Sequence, residues 1–146
     1  MTPNVLVSRS EATLEAQFGQ EFIAHINGKN ALTLEQFYTQ IADTLEIPDF
    51  DFNLDALSNA LEDLQWLEDQ RIVLYLTNTA DLLSKEKTPA KLGTVLSILD
   101  ATAEDWKWVD EDEPTAQKEL IIVFEDSSRI RDVLAREAIE YKLLTT

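Results

Sequence analysis

The sequence predicts an α/β domain: a small three-stranded parallel sheet covered by helices, with an added C-terminal helix. Three observations predict it. The near-continuous apolar runs RIVLYLTN (Arg71–Asn78) and LIIVFED (Leu120–Asp126) have the make-up of strands covered on both faces. Amphipathic helical segments separate the strand-like ones, and that order requires crossover connections and therefore parallel strands. At 146 residues, 45% of them apolar, the chain is long enough for one domain with its own core.

Each element has its own signal. Residues Met1 to about Ala16 are mixed and weakly periodic, the pattern of one loose helix. EFIAHING (Glu21–Gly28) alternates Phe22, Ala24 and Ile26 and ends in Asn27-Gly28. That is a strand closed by a turn in which Gly28 can take positive φ. His25 falls between the inward positions, so it points away from the core. In TLEQFYTQIADTLEIP, Thr33 caps a helix and Gln36 closes a capping box. Leu34, Phe37, Ile41 and Leu45 form its inner face, and Pro48 stops it. Asn53–Trp66 is a second helix with Leu54, Leu57, Leu61 and Leu64 inward. Thr88-Pro89 opens a third, with Thr88 as cap, Pro89 in the first turn, and a stripe of Leu92, Val95, Leu96 and Leu99. The charge run DEDEPTAQ (Asp110–Gln117) reads as a loop. Ser127 or Ser128 caps a last helix, RIRDVLAREAIEY, with Ile130, Leu134 and Tyr141 inward.

Composition narrows the function classes. Twenty-eight acidic side chains against 12 basic ones give a net charge of −16. Phosphate backbones and anionic lipids repel such a chain, so direct nucleic-acid or membrane binding is not expected. Basic proteins attract it, although solubility alone also explains an acidic surface. No cysteine is present, which rules out disulfides and thiolate sites and fits a reducing, cytoplasmic setting. The opening MTPNVLVSRSEATLEAQF has no basic flank or sustained apolar run, as expected without a signal peptide. With one histidine and no cysteine, neither a zinc site nor a histidine-based nucleophile is expected. Gly19, Gly28 and Gly93 do not form a phosphate loop, and Asp110–Glu113 lacks the spacing of a calcium loop. No cofactor and no catalysis are therefore expected; an acid–base enzyme using clustered carboxylates is the remaining alternative.

One stretch calls for more. DFNLDALSNALEDL (Asp51–Leu64) sets Asp55, Ser58, Asn59, Glu62 and Asp63 opposite a clean apolar stripe. Such a face is suited to a basic partner. Trp66 lies eleven residues after Asp55, about three helical turns. It either returns to the acidic face as a binding anchor or folds over the helix end onto the core. Trp106 and Trp108 flank Lys107, and alternation there buries one of them.

INGKNALTLEQFYTQIADTLEIP (Ile26–Pro48) followed by NLDAL (Asn53–Leu57) resembles the barstar family of intracellular ribonuclease inhibitors. The shared pattern is an ING turn, an amphipathic helix ending in Ile-Pro, an aromatic loop (here DFDF, Asp49–Phe52), and NLDAL opening the second helix. The similarity runs over about residues 21–126 of a single domain, leaving 1–20 as an N-terminal extension and 127–146 as the added helix. The resemblance implies a bacterial toxin-immunity function. The second helix and the loop before it would plug a ribonuclease active site, acidic side chains standing in for RNA phosphates. Phe50 or Phe52 then takes the aromatic role, Asn53 the helix start and Asp55 the first acid. Ser58-Asn59 stand where the family has Trp-Asp, so an amide replaces the central carboxylate. Glu62 and Asp63, one turn on, can supply the missing charge. Asp105 falls near a second acidic position, with Asp100 and Glu104 as alternatives. The expected partner is a basic protein, a ribonuclease or toxin, and the expected state a monomer or weak homodimer. A scaffold that binds some other protein is the competing reading.

Overall fold

A computed structural model describes residues 3–64, 66–88, 90–107 and 118–144. Among these residues the sheet has five strands, not the three expected. They are β1 (Val5–Ser8), β2 (Phe22–Asn27), β3 (Arg71–Thr77), β4 (Glu119–Glu125) and β5 (Tyr141–Leu144). All pairings are parallel, in the order β2-β3-β4-β1-β5. The helices are α1 (Glu11–Phe18), α2 (Leu34–Leu45), α3 (Leu54–Asp63), α4 (Ala90–Lys107) and α5 (Ser128–Arg136). Pro89, Trp108 and the charge run Asp110–Gln117 lie outside the described residues.

The three expected strands are β2, β3 and β4; the corrections lie on either side of them. The N-terminal stretch is not one loose helix. Val5 and Val7 alternate inward in a strand that pairs with β4 from Val5 opposite Ile122, and Ser10 then caps α1 by accepting from the Thr13 amide at 3.2 Å. The last expected helix also stops early. Ala138 takes a left-handed φ of 57°, and the chain leaves as β5, with Val5 opposite Tyr141. Tyr141 is therefore a strand residue. Alanines and glutamates favour helix in this stretch, but pairing with β1 overrides them.

The central strands require two covering layers. Ile72, Leu74, Leu76, Leu120, Ile122 and Phe124 face a large core shared with α2, α3, α4 and α5. Val73, Tyr75, Ile121 and Val123 face the other way, under Leu14 and Phe18 of α1. The predicted stripe Leu92, Val95, Leu96 and Leu99 is buried throughout. His25 is exposed as expected. Its ring stacks on Tyr75 with centroids 5.4 Å apart, and its Nε2 lies 2.8 Å from Thr77 Oγ1.

Two local expectations need correcting. Gln36 does not close a capping box on Thr33. Its Oε1 accepts from the Leu32 amide at 2.9 Å, while Thr33 Oγ1 accepts from the Gln36 amide at 3.2 Å. Nor does Gly28 use positive φ; no glycine does. It is required because a Cβ there would run into the backbone carbonyls of Thr77 and Asn78, where the turn after β2 crosses the end of β3. One carbonyl ends β3 and the other follows it, and a backbone carbonyl cannot swing aside as a side chain would. Gly28→Ala should destabilise the domain by about 3 kcal/mol, read as a lower urea midpoint at unchanged slope.

Candidate partner-binding surface

The helix α3 is set by its ends. Asn53 is extended, and its Oδ1 accepts from the Ala56 amide at 2.7 Å, satisfying one of the orphan donors of the first turn. Leu57, Leu61 and Leu64 are fully buried. Leu64 takes a left-handed φ of 51° and its amide donates to Ala60 O at 3.1 Å, so the helix ends at Asp63 rather than at the expected Trp66. With the stripe inward, Asp55, Asn59, Glu62 and Asp63 are exposed and Ser58 is half-buried.

Two indoles hold this helix in place. Trp106 of α4 is buried and its Nε1 donates to Leu61 O at 2.8 Å. Trp66 donates from Nε1 to Leu45 O, at the end of α2, also at 2.8 Å. Its half-buried ring packs on the main core. Of the two placements the sequence left open, the structure has Trp66 over the helix end on the core, not on the acidic face.

The loop before α3 builds an aromatic cluster. Phe50 is half-buried, whereas Phe52 is 49% exposed, one of only two large apolar side chains so placed among the described residues. Both rings meet the buried Tyr38 of α2, with centroids 5.8 and 5.7 Å away, and each other at 5.6 Å. Burial, and then the nearby Glu86 carboxylate, push the Tyr38 hydroxyl above the ordinary tyrosine value. Sequence reasoning passed over Tyr38 because it lies beside the periodic stripe; the repeated Phe at 50 and 52 was the available signal that an aromatic partner was needed.

Asp105, in the last turn of α4, is exposed and reaches α3. A hydrogen bond with the Asp105 carboxylate, then partial desolvation and charge repulsion from the same group, raise the Glu62 carboxyl above its usual range. The alternatives point elsewhere. Asp100 and Glu104 accept from Asn4 Nδ2 at 3.1 and 2.9 Å, tying α4 to the start of β1. The structure thus brings together Phe50, Phe52, Asn53 and Asp55 at one end of α3, and Glu62 and Asp105 at the other. Asn59 and Asp63 lie along the same exposed face, with Ser58 half-buried beside them.

A cleft of about 740 Å³ opens at the amino ends of β1, β3 and β4, lined also by Trp106 and Lys107, which follow Asp105 in α4. Its basic groups are engaged. Arg71 pairs with Glu21 and Glu119 at 3.3 and 3.2 Å, and Lys118 Nζ donates to Leu67 O and Asp69 O at 2.8 and 2.7 Å. Among the described residues no group of three or more His, Asp or Glu is placed to hold a metal ion, and no helix is long and apolar enough to cross a membrane.

Sheet, covering helices and this helix face together define an α/β domain with an acidic, aromatic-flanked surface. Residues 21–124 match the family model Barstar (barnase inhibitor), and the chain belongs to that family. The matched span contains β2 to β4, α2 to α4 and every candidate residue; β1, α1, α5 and β5 lie outside it. No curated protein matches the sequence. Among solved structures, the chain is similar to the Aeropyrum pernix ORC2 protein in its ADPNP-ADP complexes, with 18% identity and a TM-score of 0.55 over 97% of this chain and 41% of that one. Cdc6p from Pyrobaculum aerophilum gives 16% identity and a TM-score of 0.49 over 97% and 38%. The chain therefore spans about two-fifths of these solved chains. The ORC2 likeness is one of fold, and it takes in nearly the whole chain rather than a three-stranded core. Replacing the cap, Asn53→Ala, should cost about 1 kcal/mol of stability, measured by thermal or urea unfolding, because the Ala56 amide loses its acceptor.

Proposed function

We propose that this chain is a protein-interaction module that inhibits a small basic ribonuclease or other toxin by laying α3 and the preceding loop over the active site. The observation that supports this best is the meeting of Glu62 and Asp105 on the exposed face that begins at Phe52, inside the family-matched span. Carboxylates on this face take the place of RNA phosphates against an enzyme's cationic groups, and Phe52 supplies apolar contact at the edge. The net charge of −16 speeds encounter with a basic partner and makes it salt-sensitive. On this reading the chain is not an enzyme, takes no cofactor, and works in the cytoplasm as part of toxin immunity. The nucleotides named for the ORC2 complexes are not carried over: the turn between β1 and α1, Arg9-Ser10, has no glycine-rich phosphate loop.

A second reading is favoured by Ser58 and Asn59, which stand where the family has Trp-Asp. An amide at the centre of the face cannot make an ion pair, so a scaffold serving a non-nuclease protein partner also fits. Titration against a barnase-type ribonuclease separates the two. Inhibition reaching completion at one equivalent supports the first reading; undiminished RNA cleavage at large excess supports the second.

For any basic partner, Glu62→Arg should weaken binding by about 2–5 kcal/mol while leaving the unfolding midpoint nearly unchanged. Binding should also depend on pH. In the free protein the Glu62 carboxyl is raised, and a bound cation favours the ionised form and lowers it again. Affinity is therefore full above the raised value and falls as pH drops through it. Calorimetry at two pH values in buffers of different ionisation enthalpy should detect the released proton, and Glu62→Gln should abolish that component.

A further inference from the structure

The helix α5 lies outside the family-matched span, yet it is bonded to the turn at 79–85 that follows β3. Thr79 opens that turn and is buried. Its Oγ1 donates to Glu125 O at 2.8 Å and lies 2.7 Å from Oγ of Ser127, the α5 cap. Arg129, in the first turn of α5, reaches further along the same segment. Its guanidinium is half-buried, and Nη1 donates to Thr79 O at 3.0 Å, to Ala80 O at 3.3 Å and to Leu82 O. Three main-chain carbonyls thus converge on one cationic nitrogen, and hydrogen bonds to a charged donor are stronger than neutral ones. The turn needs such a hold. Asn78 and Leu83, near its two ends, take left-handed φ of 49° and 54°, which L side chains adopt at a cost.

On its other side this turn meets the segment that leads into α2. The Leu83 amide donates to Ala31 O at 2.8 Å and the Lys85 amide to Leu32 O at 2.9 Å, immediately before Thr33 caps the helix. Leu82 and Leu83 are buried in the main core with Ala31 and Tyr38. Glu86, the next residue, brings its carboxylate near Tyr38 and is itself held by Lys91 at 3.5 Å. Tyr38 in turn carries the rings of Phe50 and Phe52. We infer that Arg129 is a positioning residue for the candidate partner-binding surface: it fixes the turn at 79–85 and so holds the cluster of Tyr38, Phe50 and Phe52 in place. The inference rests on the reading that α3 and its loop meet a partner. It gives α5, an element beyond the family-matched span, a part in shaping that surface.

Amide hydrogen exchange of the full chain tests this with no partner present. In Arg129→Met the Leu83 and Lys85 amides should exchange about tenfold faster or more, while those of β3 and β4 change far less. The Tyr38 hydroxyl, followed through its ring carbon shifts, should titrate lower than in the wild type, because the burial and the Glu86 charge that raise it are both relaxed. Arg129→Lys puts one ammonium on a shorter side chain before three carbonyls, so protection at 83 and 85 should fall in the order Arg, Lys, Met. The step from Arg to Lys carries the test alone if Arg129→Met does not fold. Exchange at 83 and 85 that is unchanged, or that rises only in step with β3 and β4, would overturn the inference, as would an unmoved Tyr38 titration. In a second arm a barnase-type ribonuclease is titrated with each chain, and Arg129→Met should bind it roughly 2- to 30-fold more weakly than the wild type. Equal affinity of the two chains overturns the inference. A wild type that does not bind the enzyme overturns the inhibitor reading instead, and the exchange and titration results then decide the role of Arg129.

Discussion

Everything in this fold follows from two strands that cannot be left exposed. In β3, Ile72 to Thr77 are all buried, and in β4 Leu120 to Phe124 are as well. A parallel strand of this kind has no polar face to offer solvent, so the sheet must be covered on both sides. The coverage is uneven. Among the described residues four helices cover one face and α1 alone covers the other, its Leu14 and Phe18 lying over Val73, Tyr75, Ile121 and Val123. The β4 edge is closed as well, by β1 and then β5. With the sheet enclosed, α3 has only a narrow obligation to the core, met by Leu57, Leu61 and Leu64, and its remaining positions are free to carry charge.

That freedom explains how an acidic surface can be held in a fixed shape. Carboxylates crowd this helix: beside the hydrogen bond between Glu62 and Asp105, partial desolvation and charge repulsion also raise the Glu62 carboxyl. The cost is offset on the buried side, where Trp106 donates to Leu61 O and Trp66 to Leu45 O. These bonds end on backbone carbonyls, so they fix the helix axis without depending on any surface side chain. A change on the exposed face therefore alters the electrostatics with little effect on position. Asn59 is the informative case: the central position loses charge, while the pair at Glu62 and Asp105 concentrates it one turn away.

The sequence was informative where period and burial coincide. The runs at Arg71–Asn78 and Leu120–Asp126, the stripe of α2, Leu57 and Leu61 in α3, and Leu92 to Leu99 in α4 are each long enough to reveal their period. It failed where an element is four residues long. Val5 and Val7 in β1, and Tyr141 in β5, are defined by what they pair with, and those partners are about 117 and 136 residues apart along the chain from one another's register. The candidate site divides the same way. The family pattern and the α3 stripe placed Asn53, Asp55 and Glu62 on one helix. Nothing local could show that Asp105, rather than Asp100 or Glu104, is the acid on α4 that reaches them. That depends on Asn4, which draws the other two toward β1.

The strand order also separates the family-matched strands β2 to β4 from β1 and β5. The helix α2 packs against β2 and α3 packs against α4, whereas β5 lies at the edge opposite β2, beyond β4 and β1. The family-matched span stops at residue 124, and α5 and β5 come after it. Elements added beyond β4 can therefore extend the sheet without crossing α3 or displacing the two indole bonds that hold it.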